Sequence, residues 1–190
     1  MSKLMFLRGK KCRKIINIAC RSFFGLFYKK KYLKGKHFED SYIGWLWAFR
    51  GLGSRVFGEH RSIPWPVSKY STISSPHNIN FHPSSINCFQ SKGCYFQNFS
   101  GNISLGENVW IAPNVGLITA NHDVKNLSQH IEGKDIIIHN DCWIGMNSVI
   151  LPGVELGDGT IVAAGAVVNK SFKEGNCIVA GIPAKIVKKI

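Results

Sequence analysis

Residues 138–168 read IHNDCW IGMNSV ILPGVE LGDGTI VAAGAV V, and every sixth position from Ile138 is aliphatic: Ile144, Ile150, Leu156, Val162 and Val168. Four residues after each aliphatic position the side chain is mostly small, at Cys142, Ser148, Val154, Thr160 and Ala166. Upstream, Leu105, Ile111 and Leu117 keep the same count in another phase. A constant period of this kind marks a repeat architecture. Each step supplies a short strand and a turn, three steps close one triangular coil, and stacking buries the aliphatic edge that a lone coil leaves open. Gly106, Gly145 and Gly157, with Ala112 and Ala163, follow the aliphatic residue, where a bulky side chain would crowd the corner. Glycine also accepts the positive φ that tight corners need. An antiparallel sandwich likewise sets aliphatic residues between turns, but nothing in its folding enforces a constant period.

The phase breaks once. The step from Leu117 to Ile138 is no multiple of the repeat, so the segment between them leaves the coil as a loop, at about residues 119–135. It opens Thr119-Ala120-Asn121-His122-Asp123 and runs on through Gln129, His130, Glu132 and Gly133. Loops on a rigid scaffold are where chemistry concentrates. His122 stands at the take-off point, and imidazole titrates near neutrality. The bland alternative is a solvated loop side chain.

Several linked stretches resemble the hexapeptide-repeat acetyltransferases, a group that includes galactoside and maltose acetyltransferases and the O-acetyltransferases of bacterial surface polysaccharides. They are Leu105 through Val115 (LGENVWIAPNV), Thr119 to Asp123, Trp143-Ile144-Gly145 with Pro152-Gly153-Val154, and Gly181-Ile182-Pro183-Ala184-Lys185. The likeness covers roughly residues 80–190. It implies an all-β fold, a left-handed parallel β-helix, which is an exception to the right-handed crossover rule. It further implies a homotrimer with active sites between neighbouring subunits, and acetyl-coenzyme A (acetyl-CoA) as donor, with no metal. The family's catalytic histidine falls on His122, with Asp123 where proline is common. Positions equivalent to Met146, Ala164, Asn169 and Lys170 line the groove for the pantetheine arm. Lys185 and Lys188 fall where basic residues reach the nucleotide phosphates, although a solvated basic tail would look the same. Trp143 either flanks the donor or covers the edge of a coil. Asn98, within Tyr95-Phe96-Gln97-Asn98, and Asp123 are the acceptor-side candidates; an asparagine tie at a coil corner is the alternative for Asn98. A general base needs its second ring nitrogen held, and Asp123 and Glu132 are the carboxylates at hand, with a backbone carbonyl as the other choice.

The first stretch reads differently. Lys3, Arg8, Lys10, Lys11, Arg13, Lys14, Arg21, Lys29, Lys30, Lys31, Lys34 and Lys36 are interleaved with Phe6, Ile15, Ile16, Phe23, Phe24, Leu26, Phe27 and Tyr28. Basic and aromatic together predict contact with a membrane surface. Nucleic acid is the competing partner, but no recognition motif accompanies the segment. The apolar run from Ile15 to Cys20 is broken by Asn17 and ended by Arg21, too short for a signal peptide. Tyr42 to Phe49, with Leu52, Val56 and Phe57, reads as a short helix that either lies at an interface or caps the repeat. Residues 1–70 are therefore assigned to a partly helical extension and 71–190 to the acyltransferase domain. Six cysteines without close pairing read as reduced thiols in a cytoplasmic protein, at the inner face of the membrane if the leader binds lipid.

The sequence thus points to an acetyl-CoA-dependent O-acetyltransferase acting on a sugar hydroxyl of a bacterial envelope polysaccharide or its precursor. Alternatives on the same scaffold are a xenobiotic or small-sugar acetyltransferase and a non-catalytic trimer. A γ-class carbonic anhydrase needs three histidines at a metal, and Leu127 stands where the second of its closely spaced pair would fall.

Overall fold

The computed structural model describes the backbone from Lys3 to Ile190 and side chains from Cys12 onward. The side chains of Lys3, Phe6, Arg8, Lys10 and Lys11 lie outside the described residues. The chain divides into two units, one ending at Val67 and the other running Ser68–Ile190.

The first unit is helical: α1 (Lys3–Phe24), α2 (Lys36–Glu39) and α3 (Ile43–Phe57). Its core gathers Phe24, Leu33, Phe38, Trp45, Ala48, Ile63 and Trp65, each at most 6% exposed. Polar ties fix the packing. The Trp45 indole donates to Asn17 Oδ1 (2.9 Å), the Tyr28 hydroxyl to Ala48 O (3.0 Å), and Arg21 pairs with Glu39 at 2.7 Å. Burial pushes the Tyr28 phenol up to about 12, against a smaller opposing pull from Arg55.

In the second unit the strands are β1 (Thr72–Ile73), β2 (Ile79–Phe81), β3 (Tyr95–Gln97), β4 (Ile103–Leu105), β5 (Trp110–Ile111), β6 (Gly116–Ile118) and β7 (Ile136–Ile138). They continue as β8 (Trp143–Ile144), β9 (Val149–Ile150), β10 (Glu155–Leu156), β11 (Ile161–Val162), β12 (Val167–Val168), β13 (Cys177–Ala180) and β14 (Lys185–Lys189). They form three sheets, in the orders β1-β3-β6-β9-β12, β2-β4-β7-β10 and β5-β8-β11-β13-β14. Successive strands visit the three sheets in turn, and the neighbours pair parallel except β13 with β14. The result is a parallel β-helix of triangular cross-section, as the hexad count predicts.

The register explains the loop quantitatively. Val149 pairs with Val167, Ile137 with Glu155 and Trp143 with Ile161, and backbone-to-corner contacts in these coils span 18 residues. Across the phase break Trp110 pairs with Trp143 and Ile103 with Ile136, a span of 33 residues. The coil containing His122 therefore carries 15 residues more than the coils that follow it.

Inward residues stack coil on coil. Leu105, Ile138 and Leu156 form one column, Ile111, Ile144, Val162 and Val179 a second, and Phe96, Leu117, Ile150 and Val168 a third, all at most 5% exposed. Full burial of one such side chain contributes about 1.5–3 kcal/mol. The small positions Cys142, Ser148, Val154, Thr160 and Ala166 are also buried. Their polar members are satisfied locally: Ser148 Oγ donates to Gly145 O and Thr160 Oγ1 to Gly157 O, both at 2.7 Å. Burial pushes the Cys142 thiol up to about 11.

The corner glycines act differently from the positive-φ expectation. A Cβ on Gly145 would stand 2.6 Å from Val162 O and Ala164 N of the next coil, so close stacking excludes it. Positive φ falls two residues later instead, on Asn108, Asn114, Asp141, Asn147, Gly153, Gly159 and Gly165. Asparagine and aspartate tolerate that region because their short side chains bond locally. Here they also bond up the stack, Asn108 Nδ2 to Asp141 Oδ1 at 2.7 Å and Asn114 Nδ2 to Asn147 Oδ1 at 3.1 Å.

On the outer face of one sheet Glu155 accepts from Lys173 (2.8 Å) and lies 3.1 Å from His139 Nε2. The Lys173 ammonium first, and the His139 imidazole second, hold the Glu155 carboxyl below its ordinary value. A carboxyl lowered on folding stabilises above its unfolded value, and that stabilisation is lost as pH falls through the folded one. The melting temperature of Glu155→Gln is thus expected to lie below wild type near neutrality. The gap should close as pH drops from about 6 to about 3; a gap independent of pH would sink the assignment.

Candidate active site

The extra residues form a projection tied across itself by backbone hydrogen bonds, with His122 and His130 bridged antiparallel. Lys134 N donates to Thr119 O (2.8 Å), Ile131 N to Asn121 O (3.0 Å) and Asp123 N to Gln129 O (2.9 Å). The ends of the excursion are therefore pinned together where it leaves the coil. Gln97, on β3, clamps the same spot. Its Oε1 accepts from Thr119 N (3.0 Å) and Ala120 N (3.1 Å), while its Nε2 donates to Ala120 O (3.0 Å). Gln97 is 8% exposed. A buried amide with all of these bonds fixes the backbone two residues before His122.

His122 itself is exposed, and its Nδ1 lies 2.7 Å from Leu127 O. A carbonyl only accepts, so Nδ1 carries a proton, and in the neutral ring Nε2 is the nitrogen with the lone pair. The backbone carbonyl, and neither Asp123 nor Glu132, holds the ring. Asp123 Oδ1 instead accepts from Lys125 N at 2.8 Å, closing its own turn. His130 faces His122 across the projection, ring centroids 4.1 Å apart, and meets the edge of Phe99 at 4.9 Å. Among the described residues no group of three His, Cys, Asp or Glu side chains forms that would hold a metal.

Asn98 is placed against the sequence expectation. It is fully buried, its Nδ2 donates to Ser75 O, its Oδ1 accepts from Ser75 N (3.0 Å), and its own carbonyl accepts from Asn78 Nδ2 (2.9 Å). The side chain ties one corner to the next and presents nothing to an acceptor.

The donor candidates separate onto two edges of the prism. Met146 and Ala164 occupy the corner between the β8/β11 sheet and the β9/β12 sheet, one coil apart, and Gly165 N donates to Met146 O at 2.8 Å. Trp143 lies on the neighbouring face, paired in register with Trp110, both about half exposed. Asn169 and Lys170 follow β12 at the next corner, on the side where the His122 projection leaves β6. Lys185 and Lys188 stand exposed on β14, opposite Ala180 and Ile178. One chain thus gathers Trp143, Met146 and Ala164 along one edge and puts His122, Asn169 and Lys170 at another. Sequence reasoning missed Gln97, the Leu127 carbonyl and His130. Only Gln97 left a trace, as a polar residue in register with Ile118.

Residues 135–170 match the bacterial transferase hexapeptide family, described as six repeats. Over 91 residues the chain is 36% identical to the galactoside O-acetyltransferase of Escherichia coli (strain K12), a stretch covering 46% of this chain and 44% of that enzyme. Over 99 residues it is 31% identical to an E. coli protein named as a lipopolysaccharide-biosynthesis O-acetyl transferase, covering 46% of this chain and 50% of that one. The crystal structure of a maltose O-acetyltransferase from Clostridium difficile 630 is similar at a TM-score of 0.54 and 30% identity, over 65% of either chain. The chain spans about half the length of the curated relatives it matches. Its coils carry the hexapeptide repeat of bacterial transferases, and the proteins it resembles through them are acetyltransferases.

Proposed function

We propose that this chain is an acetyl-CoA-dependent O-acetyltransferase acting on a sugar hydroxyl of a bacterial envelope polysaccharide or its precursor, with His122 as general base. The observation that carries the reading is the 2.7 Å contact between His122 Nδ1 and Leu127 O, which leaves Nε2 as a directed proton acceptor. His122 Nε2 takes the proton from the acceptor hydroxyl as its oxygen attacks, and returns it to the departing sulfur. Acetyl-CoA supplies the activated acyl group, so the protein needs no covalent intermediate; holding the two substrates adjacent removes much of the entropic barrier.

The residues present fit that donor. Met146 and Ala164 make an open edge, and Lys185 and Lys188 stand exposed where they suit phosphate groups. The division of the candidate residues between two prism edges supports a site completed by a neighbouring copy, as in a homotrimer with left-handed coils working in the cytoplasm. We place residues 1–70 as an extension and 71–190 as the catalytic domain, with the loop at 119–135 bearing the base.

The test is thiol release from acetyl-CoA across a panel of sugar acceptors, followed by mass spectrometry of host polysaccharide from wild-type and deleted strains. Ester acetyl lost from the deleted strain's glycan supports the reading. Transfer only to amines, or an unchanged glycan, would overturn the assigned acceptor.

A further inference from the structure

The positive charge of this chain belongs almost wholly to its first unit. From Ser68 onward fall nine of the 24 Lys and Arg residues and eight of the 11 Asp and Glu residues, so the residues up to Val67 hold +12 of the formal +13.

Within that unit α3 is apolar on two faces. Gly44, Trp45, Ala48 and Gly51, spaced along one side of the helix, are buried. Phe49, Leu52, Val56 and Phe57 form a second stripe by the same spacing; Leu52 and Val56 are half-buried, while Phe49 and Phe57 stand open at 66% and 82% exposure. With Phe27 and Gly53 they line a shallow apolar cavity of about 420 Å³. Beside Phe27 in the chain, Leu26 is 79% exposed. Basic side chains touch this face at two points, and a third lies close by in the chain. Arg55 Nε donates to Phe27 O at 2.8 Å, and Arg61 Nη2 lies 3.4 Å from Phe57 O. The Lys30 stem packs against Gly25, its Cε 2.9 Å from where a Cβ would stand.

We infer that this face docks on an anionic bilayer. The phenylalanine stripe enters the boundary between headgroups and acyl chains, and the surrounding guanidinium and ammonium groups meet lipid phosphates. Charge selects this occupant: a unit of net +12 repels a second copy of itself and is drawn to an anionic surface. The contact lies in the membrane plane, since no helix among the described residues is long and apolar enough to cross a membrane. This docking does not depend on acetyl transfer.

The test is co-sedimentation of the full chain with vesicles of phosphatidylcholine alone and of phosphatidylcholine mixed with phosphatidylglycerol. Binding is expected to the mixed vesicles only, and to be lost when salt rises from about 0.1 M to about 1 M, which cuts the screening length from about 10 Å to about 3 Å. The double variant Phe49→Gln with Phe57→Gln should weaken partitioning by about tenfold or more. Both side chains are exposed, and thermal melting checks that the variant folds. Equal binding to both vesicle types, or unchanged binding of the variant, overturns the proposal. So does a variant whose only change is its oligomeric state by analytical ultracentrifugation, which would assign the face to another copy of the chain.

Discussion

Replacing His122 by Ala is expected to lower acetyl transfer by about 10²- to 10⁴-fold, the range that a positioned general base supplies. Coenzyme A affinity, read by calorimetry, is expected to stay as in wild type, because the imidazole is placed to take the acceptor's proton and not to hold the donor. The loss should appear in kcat, since the imidazole acts as the proton moves and contributes little to holding either substrate. A variant that lost donor affinity and kept its kcat would assign His122 to binding. Gln97→Ala gives a useful contrast. It frees the take-off at Thr119 and Ala120 without touching the ring, so part of the rate is lost through misplacement.

Excising Ala120–Lys134 is expected to remove all acetyl transfer and to leave a folded β-helix. The cut takes out 15 residues, the excess of this coil over those that follow it, and joins Thr119 to Asp135. Those two residues flank a point where the backbone already closes, through the 2.8 Å bond from Lys134 N to Thr119 O. The new corner would read Leu117-Ile118-Thr119-Asp135, which sets an aspartate at the positive-φ position that Gly153 fills one coil on and that Asp141 fills at the next corner. Shortening a loop between fixed ends costs little entropy. Circular dichroism should retain the strand signal with one cooperative melt; an unfolded product would show that the projection helps hold the coil.

Much of this was written in the period. The constant step from Ile138 to Val168 sets which side chains point inward, and the break after Leu117 locates the projection, because a column of buried aliphatics tolerates no phase error. His122 followed from that break. What holds His122 did not, since a backbone carbonyl such as that of Leu127 has no side-chain signature. Asn98 failed for a related reason: an amide that grips a ligand and one that ties a corner look alike until burial separates them. The corner glycines Gly106, Gly145 and Gly157 were read for two causes, and the crowding is the one that holds: close approach of the next coil excludes a Cβ, whereas positive φ falls on other residues. In the first unit the charge was plain to read. That α3 has two apolar faces and covers only one depends on packing that a string of residues does not display.

The outermost strand has a consequence for how this molecule behaves in a crowd. A stack of parallel coils is open-ended, and its terminal strands offer unpaired amides to any similar chain, which is how fibres begin. β14 turns back antiparallel on β13 and shows every residue to solvent, three of them lysines, at Lys185, Lys188 and Lys189. Like charge at that edge opposes polymerisation of one coil stack onto another, so the lysines proposed to hold a nucleotide's phosphates also keep the repeat finite.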